Sequence, residues 1–179
     1  MKSALLVIDV QQAMCEGEYA AYDIDGVIDR INALAAKTRA AGAPVVFIQH
    51  EEIDGPLQYG TDPWQLAANL DVHPGDVRIR KQTPDSFHKT ELQDVLSERG
   101  VTHLVACGLQ SDFCVDSTVR RALALGYPVV LASDAHSTLD NGVLTAAQIT
   151  AHHNVTLGNM MSFGVRVTAI PASEVQIAG

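Results

Sequence analysis

Short apolar, β-branched runs recur along the chain and alternate with segments of helical period. Residues 4–8, 45–48, 104–107 and 129–132 are unbroken apolar runs, the pattern of strands covered on both faces. Residues 77–80 and 165–168 alternate apolar with polar, so one face of each looks to water and both read as edge strands. In the first helical segment Val27, Ile28, Ile31, Leu34, Ala35 and Thr38 share one face, with Asp25 as the starting cap and Gly42 as the stop. Thr90-Glu91-Leu92-Gln93 reads as a capping box for a second helix ending at Gly100. A third, over residues 112–125, buries Val115, Val119, Ala122 and Leu123, and a fourth covers residues 143–157. Strands alternating with helices predict an α/β fold: three layers, α/β/α, around a doubly wound, mainly parallel sheet of six strands. With the alternating strands at the edges the order is 3-2-1-4-5-6, and ligands bind outside the carboxyl ends where strands one and four diverge. Residues 50–76 lack a period and read as a long loop of functional length.

Composition narrows the class. The 179 residues suit one domain spanning 1–179. The net charge of −9 is evenly spread, with 8 Lys and Arg against 13 Asp and Glu in residues 1–89 and 4 against 8 in residues 90–179. No half is a basic nucleic-acid domain. No apolar run approaches the roughly 20 residues of a membrane span, and Asp9 falls inside what would be the apolar part of a signal peptide, so a cytoplasmic protein is expected. Cys15, Cys107 and Cys114 fit neither a disulfide framework nor a zinc ribbon. Cys107 lies within a strand and reads as core; Cys15 falls in a loop after the first strand.

Three residues sit at the predicted carboxyl rim. Asp9 follows the first strand, Lys81 ends the third, and Cys114 enters the third helix behind a cap at Ser111 or Asp112. A thiol in a first helical turn meets unpaired N–H groups and the positive end of the dipole, which favours thiolate and a pKa drawn down toward neutrality. Each residue also has a plain structural reading: Asp9 as a loop cap, Lys81 as a guard of an edge strand, Cys114 as a small buried hydrophobe. Together they bring a base, a cation and a nucleophile to one rim, although Lys81 starts about 10 Å from the first strand, two strand spacings away. Asp71 and His73 have metal-like spacing, and His50, His88, His152 and His153 add ligands on paper, but the adjacent pair His152 and His153 point about 100° apart on a helix. No metal or other cofactor is expected.

The residues resemble the isochorismatase-like cysteine hydrolases. The resemblance runs through Leu6-Val7-Ile8-Asp9-Val10-Gln11, Arg80-Lys81 with Ser86-Phe87, Gly108-Leu109-Gln110-Ser111-Asp112-Phe113-Cys114-Val115 with Thr118, Ala122-Leu123-Ala124-Leu125-Gly126-Tyr127, and Ser133-Asp134-Ala135-His136. It implies the isochorismatase-like fold, an Asp9, Lys81 and Cys114 triad, a cis Leu109–Gln110 peptide, and an oxyanion hole from the backbone N–H groups of Gln110 and Cys114. Because true isochorismatases lack this cysteine, it implies cleavage of a small-molecule amide through a thioester rather than of a vinyl ether. The absence of Asp-x-His after strand two points to metal-free members similar to streptothricin hydrolase. Vinyl ether hydrolysis through Asp9, non-catalytic ligand binding and thiol redox chemistry at Cys114 remain alternatives. Trp64, Phe87, Gln110 and Phe163 are candidate substrate contacts, with residues 50–76 and the turn at 162–164 closing over the site. A homo-oligomer, dimer or larger, is expected from the resemblance and from Val143, Leu144, Ile149, His152 and Val155 on the fourth helix. Neither nucleic acid nor membrane is expected as a partner.

Overall fold

The computed structural model describes residues 1–179. Strands β1 (Ser3–Ile8), β2 (Val45–His50), β3 (Val77–Lys81), β4 (His103–Leu109), β5 (Val129–Ser137) and β6 (Val167–Ile170) form one sheet in the order β3-β2-β1-β4-β5-β6, parallel throughout. This is the doubly wound order expected from the sequence. All of β1 is buried, and its side chains divide by the period of two. Leu5 and Val7 pack under helix α2 (Ile24–Ala40) with Ile28, Ile31 and Leu34, while Ala4, Leu6 and Ile8 face helices α3 (Leu92–Glu98) and α4 (Asp116–Ala124). Helix α5 (Ala146–Gly158) adds Leu157 to that second cluster. Each such aliphatic side chain contributes roughly 1.5–3 kcal/mol when fully buried. No helix is long and apolar enough to cross a membrane.

The predicted stripe of α2, from Val27 to Thr38, is buried, and Gly42 takes a φ of 71° just past its end. Several ends differ from expectation. Asp23, not Asp25, precedes α2, and α3 forms without its capping box: Glu91 is the cap, and Thr90 Oγ1 accepts from the Leu92 N–H at 3.3 Å rather than from Gln93 while donating to the Ser86 carbonyl. The capping box lies instead between Thr145 and Gln148, so the fourth helix starts at Ala146 and Val143 is left exposed. The third helix is divided: Ser111–Val115 is a π-helical turn entered from Gln110, and α4 begins only at Asp116. Cys15 ends a short helix, α1 (Gln12–Cys15), rather than lying in a loop. The last strand begins two residues late, at Val167, because Val167 to Ile170 are the residues that pair with Val129 to Ala132. On α5, Ile149 faces the core while Val155 stays exposed.

Strand β5 runs five residues beyond its apolar stretch. The register with β4 shifts between Ala106 and Gly108, after which Gly108 pairs with His136 and Leu109 with Ser137. Gly108 has φ 112°, and a Cβ there would lie 2.1 Å from the Ile8 carbonyl oxygen. The Leu109–Gln110 peptide that follows is cis. Gly108→Ala is expected to cost about 3 kcal/mol or more, through the close backbone contact and the positive φ together. Thermal unfolding checks this: the midpoint should fall by about 6 °C or more, and a change under about 2 °C would contradict the close-contact argument.

Candidate functional site

Three strand ends converge. Asp9 leaves β1 with φ 51°, a left-handed conformation that Asp tolerates better than most residues; its N–H donates to the Ile48 carbonyl at 2.9 Å, and the side chain is 1% exposed. Lys81, the last residue of β3, is paired in register with His50 at the end of β2. Its stem passes His50 and brings Nζ to 2.5 Å from Asp9 Oδ2, which closes the two-strand gap. The ammonium also lies 3.1 Å from the Thr83 carbonyl oxygen and 3.3 Å from His50 Nδ1. Cys114 Sγ completes the group, since Asp9, His50 and Cys114 each offer an atom within 4.8 Å of the others.

The turn carrying Cys114 is held from behind. Ser111 Oγ meets His136 Nδ1 at 2.8 Å and Thr150 Oγ1 at 3.1 Å. The Asn154 amide donates to the Ser133 carbonyl, which leaves its oxygen to accept from His136 Nε2 at 3.0 Å. Burial disfavours the charged ring, so His136 is neutral, with its Nε2 proton donated to Asn154 Oδ1 and Nδ1 accepting from Ser111. Thr138 Oγ1 donates to Asp112 Oδ1 at 2.6 Å. The buried hydroxyls of Ser86 and Thr118, 2.7 Å apart, tie the segment after β3 to α4. The N–H of Gln110 enters none of the backbone hydrogen bonds of the turns and loops.

Electrostatics separate the three groups. Burial works against the Lys81 ammonium, but the Asp9 charge and Cys114 outweigh it, and its pKa rises. The Cys114 thiol is pushed up to about 12, by burial first and by the Asp9 carboxylate second, with Lys81 acting in the opposite sense. This overturns the expectation of a thiol drawn toward neutrality. Cys114 is the fourth residue of the π-helical turn that leads into α4, and the Asp9 carboxylate lies within 4.8 Å of its sulfur.

A match to the description "Isochorismatase domain" extends over residues 3–170. The chain belongs to the isochorismatase family. It is 36% identical over 176 residues to streptothricin hydrolase of Streptomyces noursei, covering 94% of this chain and 64% of that protein. The chain thus spans less than two thirds of that relative's length. It is 30% identical to ureidoacrylate amidohydrolase of Variovorax paradoxus, over 82% of this chain and 73% of that one. A crystal structure of an isochorismatase family protein superposes with a TM-score of 0.86 at 40% identity, covering 94% of this chain and 97% of the other.

Around this isochorismatase-family centre the other candidates scatter. Trp64 is 7% exposed, and its carbonyl accepts from Gln11 Nε2 at 2.8 Å and Gln49 Nε2 at 3.1 Å. Its ring meets Tyr59 edge-on at 4.8 Å, and its buried indole N–H has no acceptor. Phe87 is corrected from pocket wall to core: its ring stacks on Tyr127, centroids 6.2 Å apart, beneath α4. Phe163 is corrected as well. It lies in the connection from α5 to β6, at the amino end of the sheet, where Arg166 accepts from the Val129 N–H. A helix returning antiparallel to its strand must deliver the next loop to the end opposite Cys114.

Two residues were not singled out for this site from the sequence, His50 and Gln11, although β2 ending beside Lys81 was a usable signal for the first. Asp71 and His73 pair with each other at 3.1 Å before β3, and Asp71 also binds Arg39, away from the nucleophile. Asp9, His50 and Cys114 are the one cluster with metal-ligating spacing, but a divalent cation there would meet the Lys81 ammonium already held by Asp9. A polar cavity of about 350 Å³ opens beside Lys81 between Glu51, Gln82 and His88, and another of about 500 Å³ between His50, Glu52 and Asp54. The largest cavity, about 540 Å³, lies at the amino end among Lys2, Arg39 and Arg99 and touches none of the three groups.

With its thiol protonated, Cys114 in the free protein should react slowly with iodoacetamide at pH 7–8 and faster as the pH climbs toward 10 and beyond. Asp9→Asn removes a charge that raises the thiol pKa and should speed labelling at pH 8, while Lys81→Met should slow it. The reverse order in mass-spectrometric labelling rates would refute the assignment of these charges. His136 gives a second expectation. Burial lowers its pKa from 6.5 to about 4, so the unfolded chain takes up a proton that the fold refuses. Stability is complete above pH 6.5 and declines by roughly 3 kcal/mol as the pH falls from 6.5 to 4. Urea denaturation along that window should show the decline in the wild type and a flatter profile in His136→Gln.

Proposed function

We propose that the protein is a cysteine hydrolase that cleaves the C–N bond of a small-molecule amide through a thioester on Cys114. The observation that carries this reading is the buried Lys81–Asp9 ion pair with the Cys114 thiol beside it. Asp9 Oδ2 meets the Lys81 ammonium while Oδ1 has no hydrogen-bond partner, so the carboxylate keeps a lone pair free for a proton. A thiol with a pKa near 12 does not ionise beforehand; its proton passes to Asp9 as sulfur attacks the amide carbonyl. The tetrahedral oxygen gains negative charge opposite the backbone N–H groups of Gln110 and Cys114, each well-placed donor contributing about 3 kcal/mol. Asp9 then gives the proton to the leaving nitrogen as the C–N bond breaks. Water, losing a proton to the same carboxylate, opens the thioester, releases the acid and restores the thiol. Lys81 stays charged throughout and holds Asp9 in place.

Similarity to proteins named as a streptothricin hydrolase and a ureidoacrylate amidohydrolase supports an amide as the bond cleaved. Trp64 and Gln110 are the substrate contacts we retain, Trp64 for its buried, unpaired indole N–H. The reading includes a homo-oligomer, supported by exposed Val143 and Val155 around α5 and by Phe113, 56% exposed, beside the nucleophile.

Incubation with a panel of small amides, followed by intact-protein mass spectrometry, should show an acyl adduct on Cys114. Cys114→Ala and Cys114→Ser should abolish turnover, whereas Cys15→Ala and Cys107→Ala should retain it. Asp9→Asn should lose about 100-fold or more in kcat while remaining folded, as expected when a proton shuttle is removed. Turnover in Cys114→Ala equal to wild type would eliminate the thioester.

A further inference from the structure

We propose that His50 is a positioning residue of this site, whose Nδ1 accepts one N–H of the Lys81 ammonium and leaves the other two for Asp9 and the Thr83 carbonyl. The proposal rests on the hydrolase reading above and adds to it a residue and a protonation state. A lysine ammonium has three donors and no acceptor. Around Lys81 there are three acceptors: Asp9 Oδ2 at 2.5 Å, the Thr83 carbonyl oxygen at 3.1 Å and His50 Nδ1 at 3.3 Å. With its side chain 0% exposed, the ammonium has no water to replace a missing partner, so each acceptor counts. The third can serve only while Nδ1 carries no proton, which puts the proton of the neutral ring on Nε2.

The ring is held in place through its own backbone. The His50 N–H donates to Gln11 Oε1 at 2.8 Å, and Gln11 Nε2 returns a bond to the His50 carbonyl at 3.0 Å while also reaching the Trp64 carbonyl. Gln11 is fully buried, so this clamp fixes the end of β2 between Asp9 and Lys81. The groups facing His50 are Lys81 from β3, Asp9 from the end of β1, Cys114 from the nucleophile turn, and Glu52 just beyond its own strand. Burial and Lys81 disfavour its protonation, Asp9, Glu52 and the Thr83 carbonyl favour it, and the net effect is a lowered pKa. Protonation would set two cations against each other and take one acceptor from Lys81, loosening its grip on Asp9.

Two measurements test the proposal. In nitrogen-resolved imidazole NMR of the intact protein, the His50 signal, assigned by its loss in His50→Asn, should show the Nε2–H tautomer and titrate below 6.5; in Lys81→Met its midpoint should rise. An Nδ1–H tautomer in the wild type overturns the proposal even if Lys81→Met fails to fold. In the second measurement, p-nitrophenyl acetate acylates Cys114 across pH 4.5–9. His50→Asn, whose side-chain oxygen can stand in for Nδ1, should remain close to wild type at pH 8 and lose the acid limb. His50→Leu should be slower by about 100-fold at every pH, the scale of a misplaced catalytic group. An acid limb unchanged in His50→Asn, or His50→Leu as fast as wild type, also overturns it. A wild type that is never acylated refutes the hydrolase reading alone, because the tautomer measurement needs no turnover.

Discussion

The ion pair between Lys81 and Asp9 is the constraint to which the rest of the site answers. Both side chains are almost wholly removed from water, and each charge taken into such a place costs several kcal/mol. That cost is offset only by close geometry and by acceptors for every remaining N–H, which Thr83 and His50 supply. Loss of one partner would leave an uncompensated buried charge, worth about 3–5 kcal/mol in destabilisation. The pair therefore ties together the ends of β1, β2 and β3, which no hydrogen bond of the sheet could join across the intervening strand.

On the other side of the switch point, β4, β5 and α5 hold the turn that carries Cys114. The register shift after Ala106 lets the polar end of β5 reach the rim, where His136 and Thr138 hold Ser111 and Asp112. These contacts position the π-helical turn, and His136 takes part in them as a neutral ring. The thiol then faces a carboxylate and an ammonium from the opposite half of the sheet. Burial and the Asp9 carboxylate raise its pKa and favour the protonated thiol. A resting thiol of this kind is protected from adventitious electrophiles and oxidants, because the thiolate is the reactive form.

The architecture was legible because its signals are local. An unbroken apolar run such as residues 4–8 can be covered only on both faces, and an alternating run such as residues 77–80 belongs at an edge, so strand order followed from period and position. Asp9, Lys81 and Cys114 could be placed on one rim because parallel topology sends every strand's carboxyl end the same way. The same topology sends the loop before β6, with Phe163, to the other end of the sheet. Phe87, adjacent to buried Ser86, could not be divided between core and pocket by sequence, because either environment takes an aromatic ring.

The chain's own pattern determined the layers, the sheet order, the stripe of α2 and the three residues brought to the rim. Tertiary structure alone decided their electrical state and their companions. Sequence position suggested that a helix end and the Lys81 charge would draw the Cys114 pKa down, whereas burial outweighs them and the Asp9 carboxylate adds to it, a balance set by distances the sequence does not give. His50 and Gln11 entered the site for the same reason: a lysine crossing two strand spacings needs acceptors on its path, and which side chains line that path is fixed by register between strands rather than by any local motif.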